Sequence, residues 1–356
     1  MKILFSVFLL LAGLSVQAGS WLWSGEIKKD EQILFFPAEA YYDHRHKQWY
    51  LDVHGWVFEQ KPFGELVELF RKTLGIDSDH DNESKTLFRQ RIRWFLVDNE
   101  RDKQVKILLG NLFLNAGKSA ANGHFNSRQP IQAQYLETLK QSAQDKPVSF
   151  RANLPKHDKR LFNGQLHIIP PTGLSVISDI DDTIKISNVT NKQELLANTF
   201  KRPFKTAPGM ADLYQQWKTK ENAVFHYVSA SPWQLYPVLS GFMQQQGYPS
   251  GLFHMKSFRW KDNSFFNLFA DPVEYKMQIL ETIFKRYPQR QFILVGDSGE
   301  KDPEVYGMIA RKYPQRIRQI LIRQVGDNNG KQRFTEAFAN INKSKWQVFK
   351  GLGTRD

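Results

Sequence analysis

Residues 174–185 read Leu-Ser-Val-Ile-Ser-Asp-Ile-Asp-Asp-Thr-Ile-Lys, a short apolar run that ends in three carboxylates. Leu174 to Ser178 has the character of a buried strand, and Asp179, Asp181 and Asp182 crowd its end. Strand alternation predicts that Asp179 and Asp181 share a side, with Ile180 turned into the packing between them. Two like charges so close repel unless a cation shares them. Asp-x-Asp is also common in turns, so the stretch alone is open to two readings: a charged turn after a strand, or a magnesium-dependent phosphoryl-transfer site.

Residues further along separate the two. After Pro170-Pro171 the pattern becomes strand and helix in alternation, with Val224 to Val228 and Phe292 to Val295 as further short apolar runs. Runs of this kind suit a parallel sheet covered on both faces. Ser231-Pro232 predicts an N-cap with proline at the first helical position, the helix running to Gln246 and ending at Gly247; Asp271-Pro272 and Asp302-Pro303 repeat the device. The alternation predicts a doubly wound, mostly parallel α/β domain with its site at the carboxyl ends of the strands. Those ends carry Asp179, Asp181 and Thr183 on the first, Ser229 on the second, and Asp297 within Gly296-Asp-Ser-Gly-Glu-Lys-Asp302 on the third. Lys276 falls on the helix before the third strand. Ser229 also reads as an ordinary strand-end serine, and Asp302 as a helix cap before Pro303.

Asp179-Ile-Asp-Asp-Thr183, Ser229, Lys276 and Gly296-Asp297 with Asp302 together resemble the four motifs of the haloacid dehalogenase superfamily of aspartyl-phosphate phosphatases. The words around them, Ser178-Asp-Ile-Asp-Asp-Thr-Ile-Lys185, Tyr227-Val-Ser-Ala-Ser-Pro-Trp233 and Gly296-Asp-Ser-Gly-Glu-Lys-Asp-Pro303, resemble the actin-patch-associated phosphatidate phosphatase family, a relative of the lipins. The likeness extends over about residues 165 to 325. It implies that Asp179 attacks phosphorus and that Asp181 acts as general acid and then base. It further implies that Mg²⁺ is held by Asp179, the Asp181 backbone carbonyl and Asp297, with Asp302 beside it, and that Thr183, Ser229 and Lys276 bind the phosphoryl group. Lys301, near Asp297, competes with Lys276 for the role of phosphate lysine. Asp182 stands where lipins carry glycine, and its role is open.

The rest of the 356 residues sets the context. Residues 21 to about 165 are expected to be β-rich, with strands at Ile33 to Phe36, Trp49 to Phe58, Val105 to Leu114 and Val148 to Leu154. In the second of these, Leu51, Val53, Gly55 and Val57 share one face and Asp52, His54, Trp56 and Phe58 the other, which predicts a half-buried strand. Helices are expected over Phe63 to Leu74 and, capped by Ser84, through Leu87, Phe88, Ile92 and Phe95. His44, His46, His54, His80 and His124 match no zinc-site spacing. A net charge of +13 implies an acidic partner. An anionic phospholipid membrane surface and a phosphate-ester substrate are the expected ones, and no nucleic-acid-binding motif is present.

Aromatic and basic residues mix in Phe258-Arg-Trp-Lys261 and Phe265 to Phe269, as at a lipid interface. Phe200, Lys201, Arg202, Phe204 and Lys205 do the same within residues 186–223, long enough for a small cap over the site. Phe334, Phe338, Ile341, Lys343 and Lys345 fit either a basic amphipathic helix or packing onto the sheet. Lys2 followed by the apolar Ile3 to Val16 and the small-x-small Val16-Gln17-Ala18 predicts a secretory signal cleaved after Ala18, hence a periplasmic or secreted protein. There is no cysteine. The expected organisation is therefore a signal peptide at 1–18, a β-rich domain at 19–168, a catalytic domain at 169–330 and a basic tail at 331–356. Two other functions stay in view: hydrolysis of a soluble phosphate ester, and a non-catalytic lipid-binding module.

Overall fold

The computed structural model describes residues 25–62, 64–74, 81–144, 146–257, 272–326 and 331–351. The signal-peptide expectation, His80 and the aromatic-basic stretches 258–261 and 265–269 lie outside them. Nine strands build a mixed sheet from the first half: β1 (Glu31–Phe35), β2 (Ala38–Asp43), β3 (Gln48–Glu59), β4 (Asp98–Asn99), β5 (Gln104–Leu109), β6 (Leu112–Lys118), β7 (His124–Ile131), β8 (Val148–Ala152) and β9 (Asn163–Ile168). Their order is β1-β3-β2-β9-β8-β5-β6, with β4 and β7 also pairing with β3. All described pairings are antiparallel except β2 with β9. Helices α1 (Gly64–Leu74), α2 (Asn82–Ile92) and α3 (Ala133–Ala143) accompany it.

The second half forms a six-stranded, all-parallel sheet of β10 (Thr172–Ser178), β11 (Val224–Pro232), β12 (Leu252–Lys256), β13 (Gln289–Asp297), β14 (Ile317–Arg323) and β15 (Trp346–Phe349). The strand order is β12-β11-β10-β13-β14-β15. The chain winds one way from β10 and then the other, so β10 marks the point where the order reverses and a crevice opens at the carboxyl ends. Two helix layers cover the sheet. Met210 and Tyr214 of α5 (Met210–Glu221) and Leu239, Phe242 and Met243 of α6 (Tyr236–Gln245) pack with Val176, Phe225 and Val295 on one face. Leu280 and Phe284 of α7 (Pro272–Arg286), Val305 and Ile309 of α8 (Asp302–Lys312) and Phe334 of α9 (Lys331–Ala337) pack with Ile177, Phe292 and Ile320 on the other. Burial on both faces is why these strands read as continuous apolar runs. The remaining helix, α4 (Lys192–Phe200), lies between β10 and α5. Among the described residues no helix is long and apolar enough to cross a membrane.

Several expectations are corrected. Helix α2 is capped by Asp81, whose side chain accepts the Ser84 amide at 2.7 Å, so Ser84 lies inside the first turn. Val105 to Leu114 is a hairpin that reverses at Gly110, where φ is +58°, rather than one strand. Strand β3 is buried on both faces over its second half: Leu51, Val53 and Val57 enter the first sheet's core, while Trp56 and Phe58 pack with Trp233 of the second unit. The Ser231-Pro232 pair lies one position off the expected start: Pro232 is itself the cap of a 3-10 turn, Trp233–Leu235, that leads directly into α6. Ser229 Oγ accepts the Ser231 amide at 3.0 Å, the segment stays extended through Pro232, and the proline of the α6 first turn is Pro237. Phe334 and Phe338 pack onto the parallel sheet, which resolves the two readings of the C-terminal region.

The two halves are joined by charge as well as by apolar surface. Arg286 of α7 pairs with Glu39 and, at 2.9 Å, with Asp52, and the Tyr287 hydroxyl donates to Glu39.

Candidate active site

The carboxyl ends of β10, β11 and β13, three neighbouring strands, bring Asp179, Asp181, Thr183, Ser229 and Asp297 to one crevice. Strand β10 stops at Ser178, so pleat alternation does not set the two carboxylates. The Asp179 amide still donates to Val295 O at 2.9 Å, and Asp181 and Lys185 close a tight turn in which both the Ile184 and Lys185 amides donate to Ile180 O. Ile180 is fully buried and anchors that turn.

Each carboxylate has its own lysine. Asp179 Oδ1 accepts from Lys276 Nζ at 2.9 Å, and Lys276 also donates to Glu300 at 2.9 Å and Asp302 at 2.5 Å. Lys276 is 1% exposed and comes from α7, on the face opposite the cap segment. Lys301 is exposed at the start of α8. Asp181 Oδ1 instead meets Lys185 Nζ at 2.8 Å and the Ser187 hydroxyl at 2.6 Å, while Oδ2 faces the hydroxyls of Ser231 at 3.2 Å and Ser229 at 3.4 Å. Two buried lysines, one against each carboxylate, offset the repulsion expected of adjacent carboxylates.

Electrostatics follow from this partition. Burial pushes the Asp179 carboxyl well above the usual range; Lys276 opposes the rise, and Asp302, Glu300 and Asp297 add to it. Burial would raise Asp181 too, but Lys185, with hydrogen bonds from it, Ser187 and Ser231, holds it below the usual range. Burial lowers Lys276, and Asp179, Asp302 and Glu300 more than reverse this, so it stays an ammonium. Asp297 is raised by burial and by Asp302 and Glu300.

The acidic groups fit a hard divalent cation. Asp297 Oδ1 accepts the amides of Gly299 and Glu300 at 2.5 and 3.0 Å, whereas Asp297 Oδ2 and Asp179 Oδ2 are buried oxygens without a hydrogen-bond partner among the described residues. Orphaned carboxylate oxygens are costly unless something supplies positive charge, and oxygen donors are what Mg²⁺ takes. Asp179, Glu300 and Asp302 also offer carboxylate oxygens within 4.8 Å of one another. Asp302 has both oxygens engaged, one on Lys276 and one on the Asp297 amide at 3.2 Å. That arrangement needs Gly296, where a Cβ would stand 2.3 Å from Asp302 Oδ2. The Asp181 side chain, occupied by Lys185 and the serines, leaves only its backbone carbonyl for an ion.

Thr183 is fully buried with its hydroxyl unpartnered. Asp182, whose role was open, organises the loop. At φ +52° it holds a left-handed conformation that glycine or aspartate adopts most readily. Its carboxylate accepts the amides of Ser187, Asn188 and Val189 at 2.8, 3.0 and 2.7 Å. Sequence reasoning gave Lys185, Ser187, Ser231 and Glu300 no role in the site. Lys185 ends the quoted word Ser178–Lys185 but sits four residues from Asp181, and only the closed turn brings the two together.

With this geometry in place, comparison with known proteins adds a second line of observation. Residues 174–324 match the family model described as the catalytic domain of Phosphatidate phosphatase APP1. Phosphatidate phosphatase APP1 of Saccharomyces cerevisiae is 34% identical over 158 residues, covering 44% of this chain and 26% of the yeast protein. An uncharacterized protein of Schizosaccharomyces pombe is 31% identical over 170 residues, covering 47% of this chain and 27% of that protein. The match spans about a quarter of the length of either relative. Residues 174–324, the segment that holds every lysine and carboxylate of the crevice, are similar to the catalytic domain of Phosphatidate phosphatase APP1.

Proposed function

We propose that the chain is a Mg²⁺-dependent phosphatidate phosphatase of the haloacid dehalogenase type, hydrolysing phosphatidate to diacylglycerol and phosphate through an aspartyl-phosphate. The observation that carries this reading is the state of Asp179: one oxygen held by Lys276, the other buried and unpartnered at the strand-order reversal. Asp179 and Asp297 would hold Mg²⁺ through these unpartnered oxygens, and the ion would supply positive charge to offset that of the phosphoryl group.

The chain's own groups divide the remaining work. An Asp179 oxygen attacks phosphorus, the bond to the diacylglycerol oxygen breaks, and Asp181 gives that oxygen a proton. Water then attacks the phosphoryl group on Asp179, Asp181 takes its proton, and phosphate leaves with Asp179 restored. A positioned acid–base group contributes about 10²–10⁴-fold to such a step. Asp181 as found, paired with Lys185, is in the form that accepts a proton; the negative charge of an arriving phosphate ester favours the protonated form that the first step needs. Lys276, Ser229 and Thr183 orient the phosphoryl oxygens.

Phosphate release from phosphatidate vesicles and from a soluble aryl phosphate, measured side by side with and without Mg²⁺, tests the proposal. Expected are Mg²⁺-dependent release from vesicles and its loss in Asp179→Asn and Asp181→Asn. Hydrolysis of the soluble ester alone would reassign the substrate, and vesicle binding without release from either would leave a non-catalytic lipid-binding module. Export is part of the same proposal, resting on Lys2 to Ala18, and N-terminal sequencing of the mature protein checks it.

A further inference from the structure

We infer that Arg91, on α2 of the N-terminal half, is a positioning residue for Asp181, so that the β-rich half is a working part of the active site. The inference rests on the reading of Asp181 as the acid–base group.

Arg91 is 5% exposed, and its guanidinium makes two kinds of contact across the boundary between the halves. Through one nitrogen it donates to Thr199 O at 2.9 Å and to Asn198 O at 3.4 Å, two of the carbonyls that the end of α4 leaves without intrahelical partners. It also lies over the Phe204 ring, 3.8 Å from its centroid. Both contacts lead on to the same oxygen. From α4, Asn198 Nδ2 donates to Ser187 O at 3.1 Å, and the Ser187 hydroxyl donates to Asp181 Oδ1 at 2.6 Å. From Phe204, the same ring faces Lys185 Nζ at 5.1 Å, and Lys185 pairs with Asp181 Oδ1 at 2.8 Å.

Aromatic packing fixes α4 from the same side. Phe200 at its end makes edge-on contacts with Phe70 of α1, Phe88 of α2 and Phe95, at 6.2, 6.3 and 5.8 Å between centroids. A helix docked this way holds Ser187 and Lys185 from behind, and neither has to be ordered when substrate arrives. Small displacements of an acid–base group are costly; a shift of about 1 Å can lower a rate about 10²-fold. The arrangement gives the first half of the chain a task in the chemistry of the second that no motif in it announces.

Arg91→Met, which keeps length and apolar bulk, and Arg91→Lys are compared with wild type in the full chain. Amide hydrogen exchange is the direct readout, because the Ser187, Asn188 and Val189 amides are bonded to Asp182 and report the order of this loop. In Arg91→Met these amides lose protection at least ~10-fold while β10 and β13 keep theirs, and Arg91→Lys recovers part of it. In the active protein kcat falls ~10-fold with KM within about twofold, and Ser187→Ala combined with Arg91→Met loses little more than Ser187→Ala alone. Unchanged protection at Ser187 to Val189, or a loss spread evenly over both sheets, overturns the inference whether or not phosphatidate proves to be the substrate. Wild-type protein that releases no phosphate from any ester counts against the proposed function instead.

Discussion

Replacing Asp182 separates two things that one side chain does at once. Its backbone takes φ +52°, and its carboxylate accepts three loop amides at 2.7 to 3.0 Å. Hydrogen bonds to a charged acceptor contribute about 1.5–3 kcal/mol each. Because the three share one carboxylate, and water can reach the part-buried Asn188 and Val189 amides once it is gone, the net loss in Asp182→Gly is about 3 kcal/mol. Asp182→Ala loses the same bonds and, unlike Gly, keeps a Cβ in the left-handed region, which places it about 1–2 kcal/mol below Gly. Asp182→Asn keeps one acceptor oxygen and the tolerance for that conformation, so it is the mildest of the three. Urea unfolding, compared through midpoints at constant slope, therefore ranks wild type above Asn, Asn above Gly, and Gly above Ala. Equal stability of Gly and wild type would refute the claim that the carboxylate holds the loop. Equal stability of Gly and Ala would refute the claim that the position needs a left-handed residue.

Lys276→Met leaves Asp179, Glu300 and Asp302 facing one another with no ammonium between them. Removing one partner of a buried ion pair costs about 3–5 kcal/mol, so the melting temperature falls, and an unchanged melt would contradict the central place given to this lysine. Part of the acid response lies outside the site. Burial holds His124, stacked on Phe36 and Trp56, and His254 in the parallel sheet each down to about 4. An unfolded histidine titrates near 6.5. Between these values the unfolded chain binds more protons than the folded one. Stability from both is complete above about pH 6.5 and is lost as pH falls towards 4, by about 3 kcal/mol each at most. Urea midpoints measured from pH 7 to 4.5 check this, and His124→Asn is expected to flatten the acid limb; an unaltered limb would argue against it.

The parallel sheet was legible because its strands are buried on both faces, leaving Val-Ile-Leu runs that no amphipathic helix produces. The crevice was legible for a related reason: strand ends in such a sheet converge, so Asp179, Ser229 and Asp297 could be placed together from three separate words in the sequence. What escaped depends on side chains meeting across the fold. Ser231 before Pro232 has the local signature of a helix cap, but its hydroxyl turns to Asp181 and the strand continues. Glu300 looked like a loop residue until Lys276 reached it from α7. Trp56 and Phe58 alternate correctly with Leu51 and Val53, yet periodicity could not say that both faces of β3 would be covered. Arg91 carried no signal at all, since the carbonyls it satisfies belong to a helix more than a hundred residues away.

The measurement that bears most directly on the account is an acid-quenched reaction of the Asp181→Asn protein with Mg²⁺ and an aryl phosphate, whose leaving group departs without a proton from Asp181, digested and examined by mass spectrometry. With the second displacement slowed, one phosphoryl group is expected on the peptide that carries Asp179, absent in the Asp179→Asn, Asp181→Asn double variant. Phosphate released at the wild-type rate with no phosphoryl group on that peptide would contradict a nucleophilic Asp179.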